Sequence, residues 1–352
     1  MEMHALRPVP TGLHAGAPLS ALEEPARGAN AEPSPGDLAD VFARVAPELA
    51  GAEQTLGTLL HSTVPAVPAI ARYLADAGGK RLRPLLTALG ARAVGHDGDL
   101  SRLMCVGELL HLGSLLHDDV VDDAAERRGR PSAQKAYGNP AVILTGDFCL
   151  ARAVLLAAEE GGFQAVTELG RTVTAMAEGE VLQLLNAGNL DLDLDTYLEV
   201  VDKKSAALIA WCAAAGAWAT GQPELGQALQ RFGRDVGVAF QVTDDVLDYV
   251  GEKRMTGKRR GQDLAERKLT LPLVLAMQRV PELRQRLQKG PPSPERIPAL
   301  IAEVRASGAC DEALTFARAR VDDGIVALDL LPDGPHRDGL LTLAHHLVDR
   351  VA

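Results

Sequence analysis

The stretch LMCVGELLHLGSLLHDDVVDD, residues 103–123, decides the fold and points to the chemistry. Apolar residues and glycine recur three and four positions apart from Leu103 to Leu116, which predicts a helix buried along one face. This helix runs into four aspartates, and three arginines follow. The charged residues are Asp118, Asp119, Asp122, Asp123, Arg127, Arg128 and Arg130. The pattern is either a solvated helix end or a site where cations and a polyanion meet.

A second stretch, FQVTDDVLD at 240–248, echoes SLLHDDVVD at 114–122. Residues four apart share one face of a helix, so Asp118 pairs with Asp122 and Asp244 with Asp248. The separation between the two stretches leaves room for several helices and is no solenoid repeat. We therefore predict two helices on facing walls of one bundle, each presenting the same acidic motif.

Two carboxylates on one helix face repel each other unless a cation lies between them. Oxygen ligands without histidine or cysteine suit Mg²⁺, which keeps several waters and shares itself with substrate phosphates. Basic clusters at 79–84, 127–130, 257–261 and 266–268 would hold the anion. The sequence thus predicts a diphosphate bound through bridging magnesium inside a helical bundle.

The bulk composition excludes several classes of function. The 352 residues carry a net charge of -11, which argues against a nucleic-acid partner. Four cysteines lie in apolar surroundings without zinc or redox spacing, and we expect buried, reduced thiols and a cytoplasmic protein. They are Cys105, Cys149, Cys212 and Cys310.

Helical periodicity dominates from about residue 37 onward, with Gly and Pro between the helices. We expect a disordered tail over 1–36 and a single all-α domain, a helical bundle around a deep central cavity, over 37–352. The uncharged run at 205–223 is rich in Ala and Gly, so we interpret it as a buried core helix and expect no integral membrane segment.

The chain resembles the trans-type polyprenyl diphosphate synthases, the head-to-tail isoprenyl transferases. The resemblance covers roughly residues 40–350 and follows the family order of motifs. These motifs are GGKRLRP, ELLHLGSLLHDDVVDDAAERRGRPS, YGNPAVILTGDFCLARA, AEGEVLQ, YLEVVDKKSAALIAWC, GVAFQVTDDVLDYVG and TGKRRGQDLAERKLTLPL. It implies an all-α homodimer that joins isopentenyl diphosphate to an allylic prenyl diphosphate and releases pyrophosphate, with about three magnesium ions per site.

The resemblance also assigns the residues of the allylic site. The implied metal ligands are Asp118, Asp119, Asp122, Asp244 and Asp248. The implied diphosphate-binding and catalytic side chains are Arg127, Lys204, Lys258 and Lys268, with Ser205 and Gln241 beside them. Lys203 and Lys204 are adjacent, and only one can face the cavity; the family pattern selects Lys204.

Isopentenyl diphosphate binds without metal in the family and needs its own basic pocket. The matching residues are Lys80, Arg83, His111 and Arg128. His111 lies seven residues before Asp118, close to two helical turns, so both face the same side of one helix. We nominate no side chain as the base, because the released pyrophosphate can take the proton.

Product length is predicted from the residues below the first aspartate. In the family a bulky residue four or five positions earlier acts as a floor, and here Ser114 and Gly113 stand there. Neither is bulky, so we expect a product of about C30–C45, as used for quinone side chains. A long product also implies transient contact with a membrane for its release.

Three alternatives stay open. A short-chain farnesyl or geranylgeranyl diphosphate synthase (C15 or C20) would share every catalytic residue. A class I terpene cyclase would share the first acidic motif but would not need the second basic pocket. A non-catalytic subunit of a heteromeric synthase should have lost one acidic motif, whereas this chain has both.

Overall fold

The computed structural model describes residues 37–76, 81–127, 129–251, 261–266, 268–290 and 292–350. It confirms the predicted all-α class, and its buried apolar residues form one continuous core. The predicted tail over 1–36 lies outside the described residues, so that boundary stays a prediction.

The helices of the described ranges follow one another with short connections. In chain order they are α1 Leu38–Arg44, α2 Ala46–Leu59, α3 Ala66–Ala75, α4 Leu82–Ala93, α5 Ser101–Val121, α6 Ala133–Tyr137, α7 Asn139–Leu185, α8 Leu194–Val201, α9 Ala207–Ala219, α10 Pro223–Val250, α11 Gln262–Ala265, α12 Leu271–Arg279, α13 Pro281–Gln288, α14 Ile297–Ala306, α15 Ala309–Val326 and α16 Pro335–Asp349. A π-helix, Asp202–Ala206, joins α8 to α9, and a 3₁₀-helix, Ala327–Leu330, follows α15.

The centre of the bundle is α9, whose residues from Ala207 to Trp218 are all buried. This confirms the interpretation of the uncharged run as a core helix. Small residues let neighbouring helices approach closely: a Cβ at Gly90 of α4 would lie 2.1 Å from the carbonyl oxygen of Ala213. The Ala- and Gly-rich composition therefore serves helix packing, and large side chains such as Trp211 fill the remaining space.

The two acidic stretches end the long helices α5 and α10. Helix α5 packs chiefly against α7, while α10 packs against α9 and α15. Helix α7 is bent at Gly162, where φ is 70°, so its two halves follow different directions. The helix is also long and apolar enough to cross a membrane, although its apolar window is 39% buried inside the fold.

After α5 the chain turns back in a short hairpin. Strands β1, Glu126–Arg127, and β2, Arg130–Pro131, pair antiparallel, with Gly129 between them at a φ of 75°. Glycine takes this left-handed conformation without a steric penalty. The hairpin returns Arg127 to the end of α5, which places its guanidinium beside the first acidic motif.

Candidate active site

The first acidic motif presents Asp118 on the face of α5 that also carries His111 and Ser114, and all three residues are partly buried. Burial raises the pKa of Asp118 to about 6, while Lys204 opposes the shift and Glu180 adds to it. Arg127 and Asp122 also act on this carboxyl group. A partly dehydrated carboxylate with a second one a turn away has the character of a cation site.

Asp119 differs sharply from its neighbour. Its side chain is fully buried, one oxygen accepts a hydrogen bond from Nε of Arg127, and the other accepts one from the backbone N–H of Ala133 at 3.1 Å. Both of its oxygens accept hydrogen bonds, but a carboxylate engaged in this way retains lone pairs for a metal ion, so the assignment of Asp119 as a metal ligand stays a prediction. Its role here is to hold Arg127, and a contact through Nε does not use the two terminal nitrogens of that guanidinium.

In the second acidic motif, Asp244 is the carboxylate at the surface. Its Oδ1 lies 2.5 Å from Nη2 of Arg350, whose side chain is only 8% exposed. The guanidinium carbon of Arg350 also lies 4.6 Å from the ring centroid of Phe240. Asp244 is thus paired with a cation from the end of the chain, at the position where a metal ion is expected.

Asp245 is buried within a hydrogen-bonded chain. Tyr197 donates its hydroxyl to Oδ2 at 2.7 Å, and Gln241 donates its amide to Oδ1 at 2.9 Å. Ser205 in turn donates to the Gln241 oxygen at 2.8 Å. Burial and the nearby Asp263 raise the pKa of Asp245 to about 7, against the opposing hydrogen bonds. The structure therefore brings Ser205 and Gln241 together, and Asp245 holds Gln241 in place.

Asp248 accepts hydrogen bonds from the start of α11. Its two oxygens accept backbone N–H groups of Gln262 at 3.2 Å and Asp263 at 3.1 Å, at the start of α11. A carboxylate at this position stabilises the helix N-terminus. The assignment of Asp248 as a metal ligand, like that of Asp119, stays a prediction, because hydrogen bonds to a carboxylate do not exclude metal binding.

Lys204 projects from the π-helix toward the site. Its Nζ contacts a carboxylate oxygen of Glu180 and donates to the side-chain oxygen of Gln183 at 2.6 Å. The neighbouring Lys203 instead pairs with Glu178 and Glu199, at 3.0 and 2.9 Å. A π-helical turn shifts the register of successive side chains and is frequent at functional sites. Here it sends the two lysines to different partners, and it is Lys204 that acts on Asp118.

Lys268 joins the two walls of the site. It follows α11, and its Nζ lies 3.6 Å from Asp122 of the first motif and 2.8 Å from Glu266. Burial lowers the pKa of Lys268, but the hydrogen bond to Glu266 and the charge of Asp122 outweigh burial and raise it. Lys268, which follows α11, thus lies against the first acidic motif.

Some of the remaining basic residues lie within the described ranges, and others lie outside them. Arg83 begins α4, and its buried Nε has no hydrogen-bond partner among the described atoms. Lys80, Arg128 and Lys258, three further predictions, lie outside the described residues.

Three carboxylates of the two motifs are at least partly exposed, namely those of Asp118, Asp122 and Asp244, and they do not form a closed cage. No group of three or more acidic, histidine or cysteine side chains within the described ranges is gathered tightly enough to hold a metal alone. An incomplete oxygen set facing lysines fits magnesium ions that a phosphate ligand completes. The residues present therefore fit the predicted metal.

Comparisons with known proteins agree with this geometry. The family model described as Polyprenyl synthetase matches residues 64–304. The chain belongs to the polyprenyl synthetase family. It is 38% identical over 312 residues to the octaprenyl diphosphate synthase of Escherichia coli, covering 87% of this chain and 96% of that protein. This family membership makes the chain a prenyltransferase.

Solved structures of the family share the fold. A polyprenyl synthase from Caulobacter crescentus, complexed with calcium and isoprenyl diphosphate, has a TM-score of 0.85 and 36% identity, covering 91% of this chain and all of that one. A decaprenyl diphosphate synthase from Rhodobacter capsulatus has a TM-score of 0.83 and 35% identity, covering 90% of this chain and all of that one. The family fold thus extends over nearly the whole length of this polyprenyl synthetase.

The two chain-length positions have different surroundings in this family member. A Cβ at Gly113 would lie 3.0 Å from the carbonyl oxygen of Gly146 in α7, so this glycine permits close packing of α5 on α7. Ser114 is half-buried beside Asp118 and donates its hydroxyl to the His111 carbonyl at 2.9 Å. That the small residues Gly113 and Ser114 leave room for a long product stays a prediction, and in the structure Gly113 faces a neighbouring helix. Ser114 keeps the predicted place on the face of Asp118.

Five residues of this polyprenyl synthetase site were not assigned from the sequence. They are Glu180, Gln183, Tyr197, Asp263 and Arg350, which contact or act on the predicted residues. Glu180 and Gln183 belong to AEGEVLQ, a stretch noted as a family motif, and this signal could have identified them. Arg350 stands about 100 residues from its partner Asp244, and no local pattern connects the two.

Proposed function

We propose that this prenyltransferase is a trans-polyprenyl diphosphate synthase that extends an allylic diphosphate with isopentenyl diphosphate. One observation carries the proposal: Lys268, after the second acidic motif, lies 3.6 Å from Asp122 of the first. Lys204 and Arg127 also act on Asp118 of the first motif, so three basic residues surround its carboxylates. Cations and carboxylates that alternate in this way suit a metal-bridged diphosphate.

The chemistry needs charge stabilisation more than it needs an acid or base. The allylic C–O bond breaks with its electron pair going to the diphosphate, and the remaining carbocation is delocalised. Lys204, Lys268 and Arg127 are placed to bind the departing anion as its charge develops. Magnesium bound to Asp118, Asp122 and Asp244 would supply further positive charge to the same group. The Caulobacter structure with calcium and isoprenyl diphosphate supports a divalent cation site.

The second half of the reaction forms the new C–C bond. The double bond of isopentenyl diphosphate attacks the carbocation, and a proton then leaves the product to restore a double bond. Arg83 and His111, with Lys80 and Arg128, hold the diphosphate of this substrate. His111 lies on the same face of α5 as Asp118, which puts the two substrates side by side. The released pyrophosphate is the proton acceptor.

The product is a medium- to long-chain prenyl diphosphate of about C30–C45, as used for quinone side chains. Ser114 leaves room below Asp118, and relatives support the range by name: octaprenyl diphosphate synthase in Escherichia coli and all-trans-nonaprenyl-diphosphate synthase in Rhodobacter capsulatus. The alternative of a short-chain synthase has support from a structure called geranylgeranyl pyrophosphate synthetase, from Pyrococcus horikoshii, which has a TM-score of 0.80.

Two copies of the chain form the working unit. The first half of α7 exposes a row of apolar side chains, and Phe163 after the bend is 85% exposed. The row consists of Ile143, Leu144, Val154 and Leu155. Contiguous exposed apolar surface on a helix marks an interface, and a symmetric homodimer would cover it. We place the enzyme in the cytoplasm, with transient membrane contact for product release.

The decisive experiment is mass analysis of products from the purified chain with Mg²⁺, isopentenyl diphosphate and allylic primers of different lengths. We expect pyrophosphate release only when both substrates and Mg²⁺ are present, and products longer than C20. Products that stop at C15 or C20 would establish the short-chain alternative. A relative named heptaprenyl diphosphate synthase component 2, from Geobacillus stearothermophilus, makes a heteromeric synthase the other outcome, in which the folded chain alone is inactive.

A further inference from the structure

Arg81 has an unusual backbone conformation for an arginine. It stands directly before α4 with φ 49° and ψ 30°, in the left-handed region. Side chains other than glycine are uncommon in that region unless surrounding contacts hold them there. Arg81 has such contacts, since its guanidinium reaches Glu108 of α5 at 3.0 Å and Glu53 of α2 at 2.8 Å.

Glu108 is a largely buried carboxylate on the helix that carries the proposed isopentenyl diphosphate pocket. It is three residues before His111 on α5, and its side chain is only 12% exposed. A Cβ at the adjacent Gly107 would lie 3.4 Å from Cβ of Arg83. Glu108 therefore lies one turn before His111 and next to the residue of α5 that packs against Arg83.

The buried thiol of Cys212 reports the same proximity. Burial raises its pKa to about 12, Arg83 acts to lower it, and Glu108 acts to raise it. Glu108 and Arg83 carry opposite charges, and both thus influence the pKa of the same buried thiol. An unpaired Glu108 would repel a diphosphate held by Arg83 and would compete for the Arg83 guanidinium.

The observed pairing prevents that competition. Glu108 is bound by Arg81, whereas the buried Nε of Arg83 has no hydrogen-bond partner among the described atoms. The backbone of Arg81 also joins directly to the helix that carries Arg83. One arginine therefore neutralises the carboxylate and fixes the chain beside the pocket.

We propose that Arg81 is a positioning residue for isopentenyl diphosphate. It keeps Glu108 away from Arg83, so that the guanidinium of Arg83 remains available for the substrate's diphosphate. This inference rests on the proposed function, because it presumes that Arg83 and His111 bind that substrate. Arg81 itself need not touch the substrate.

The test is a double-mutant cycle on the full-length enzyme with steady-state kinetics for both substrates. Arg81→Gln should raise KM for isopentenyl diphosphate about tenfold, the effect of one uncompensated nearby charge, and should change KM for the allylic substrate much less. Adding Glu108→Gln to that variant should restore most of the loss, because the repelling carboxylate is gone. Titration of the metal-free enzyme with isopentenyl diphosphate alone should show the same order of affinities.

Two further variants keep the test decisive if Arg81→Gln folds poorly. Glu108→Gln alone should leave KM for isopentenyl diphosphate unchanged or lower it. Glu53→Gln is the matched control, since Glu53 also pairs with Arg81 but is 59% exposed, and it should leave both KM values unchanged.

The inference is overturned if Glu108→Gln fails to rescue Arg81→Gln, if both KM values rise equally, or if Glu108→Gln alone raises KM for isopentenyl diphosphate. These outcomes differ from failure of the proposed function. In that case the unmodified protein would not consume isopentenyl diphosphate at all, whatever residue stands at position 81.

Discussion

Arg350 pairs with Asp244, with 2.5 Å between Nη2 and Oδ1. Nη1 of the same guanidinium is buried without a hydrogen-bond partner among the described atoms, and Nε donates to the Leu347 carbonyl at 2.9 Å. The end of α16 therefore places a cation on the carboxylate assigned to magnesium. We expect Arg350 and a magnesium ion to compete for the same oxygen.

Removing this competitor should strengthen magnesium binding. We expect Arg350→Gln to lower the apparent Kd for Mg²⁺ in the presence of inorganic pyrophosphate by a few-fold, as for loss of a partly exposed ion pair. Calorimetric titration of the metal-free protein measures this directly. Arg318→Gln is the control, because its pair with Asp349, at 3.4 Å, is exposed and distant from the acidic motifs in the chain. Weaker magnesium binding in Arg350→Gln would contradict competition.

The stability of the metal-free protein should depend on pH through Asp245. Burial raises the pKa of this carboxyl group to about 7 in the folded state, far above its value in the unfolded chain. The folded state therefore binds the proton more tightly. The resulting stability is fully present below the unfolded pKa near 4 and is lost as pH rises through about 7, on the order of a few kcal/mol.

Asp245→Asn should flatten this pH dependence. Melting temperatures measured in chelator between pH 4 and 8 would show a smaller decline for the variant than for the unmodified protein. Asp123→Asn serves as the control, since Asp123 is fully exposed and its hydrogen bonds to Lys135 and Gln134 lower its pKa. An unchanged decline in Asp245→Asn would assign the effect to other groups, of which Asp118 is the first candidate.

Asp118 and Asp119 should respond differently to the same substitution. Asp118→Asn removes an open carboxylate, so we expect a higher magnesium requirement and a large loss of kcat. Asp119→Asn leaves Arg127 without its buried partner, so we expect about 2 kcal/mol less stability and roughly a tenfold loss in kcat/KM for the allylic substrate. The magnesium dependence of Asp119→Asn should match that of the unmodified enzyme. A shifted magnesium dependence would show that Asp119 is a metal ligand.

The sequence predicted the class of fold, but it could not predict the contacts that the site residues make. Helical period and the repeated acidic motif identify α5 and α10, because local spacing alone determines which side chains share a face. The hydrogen bonds of Asp119 and Asp248 could not be predicted, because only tertiary structure brings their donors near, the hairpin arginine and the start of α11. Arg350 was missed for the same reason, since it is separated from Asp244 by 106 positions in the chain.

The chain-length positions offer the sharpest test of what the structure adds. Gly113 faces α7, so Gly113→Ala should lower the melting temperature, because its Cβ would lie 3.0 Å from the Gly146 carbonyl oxygen. Ser114 shares the face of Asp118, so Ser114→Phe should place a bulky ring below the first acidic motif and shorten the main product by several isoprene units. Ser114→Ala is the matched control, since it removes the hydroxyl without adding bulk and should keep the original product length. Mass analysis of all three variants separates the two roles: if Gly113→Ala shortened the product while Ser114→Phe left it unchanged, the growing chain would pass between α5 and α7 instead of along the face that carries Ser114.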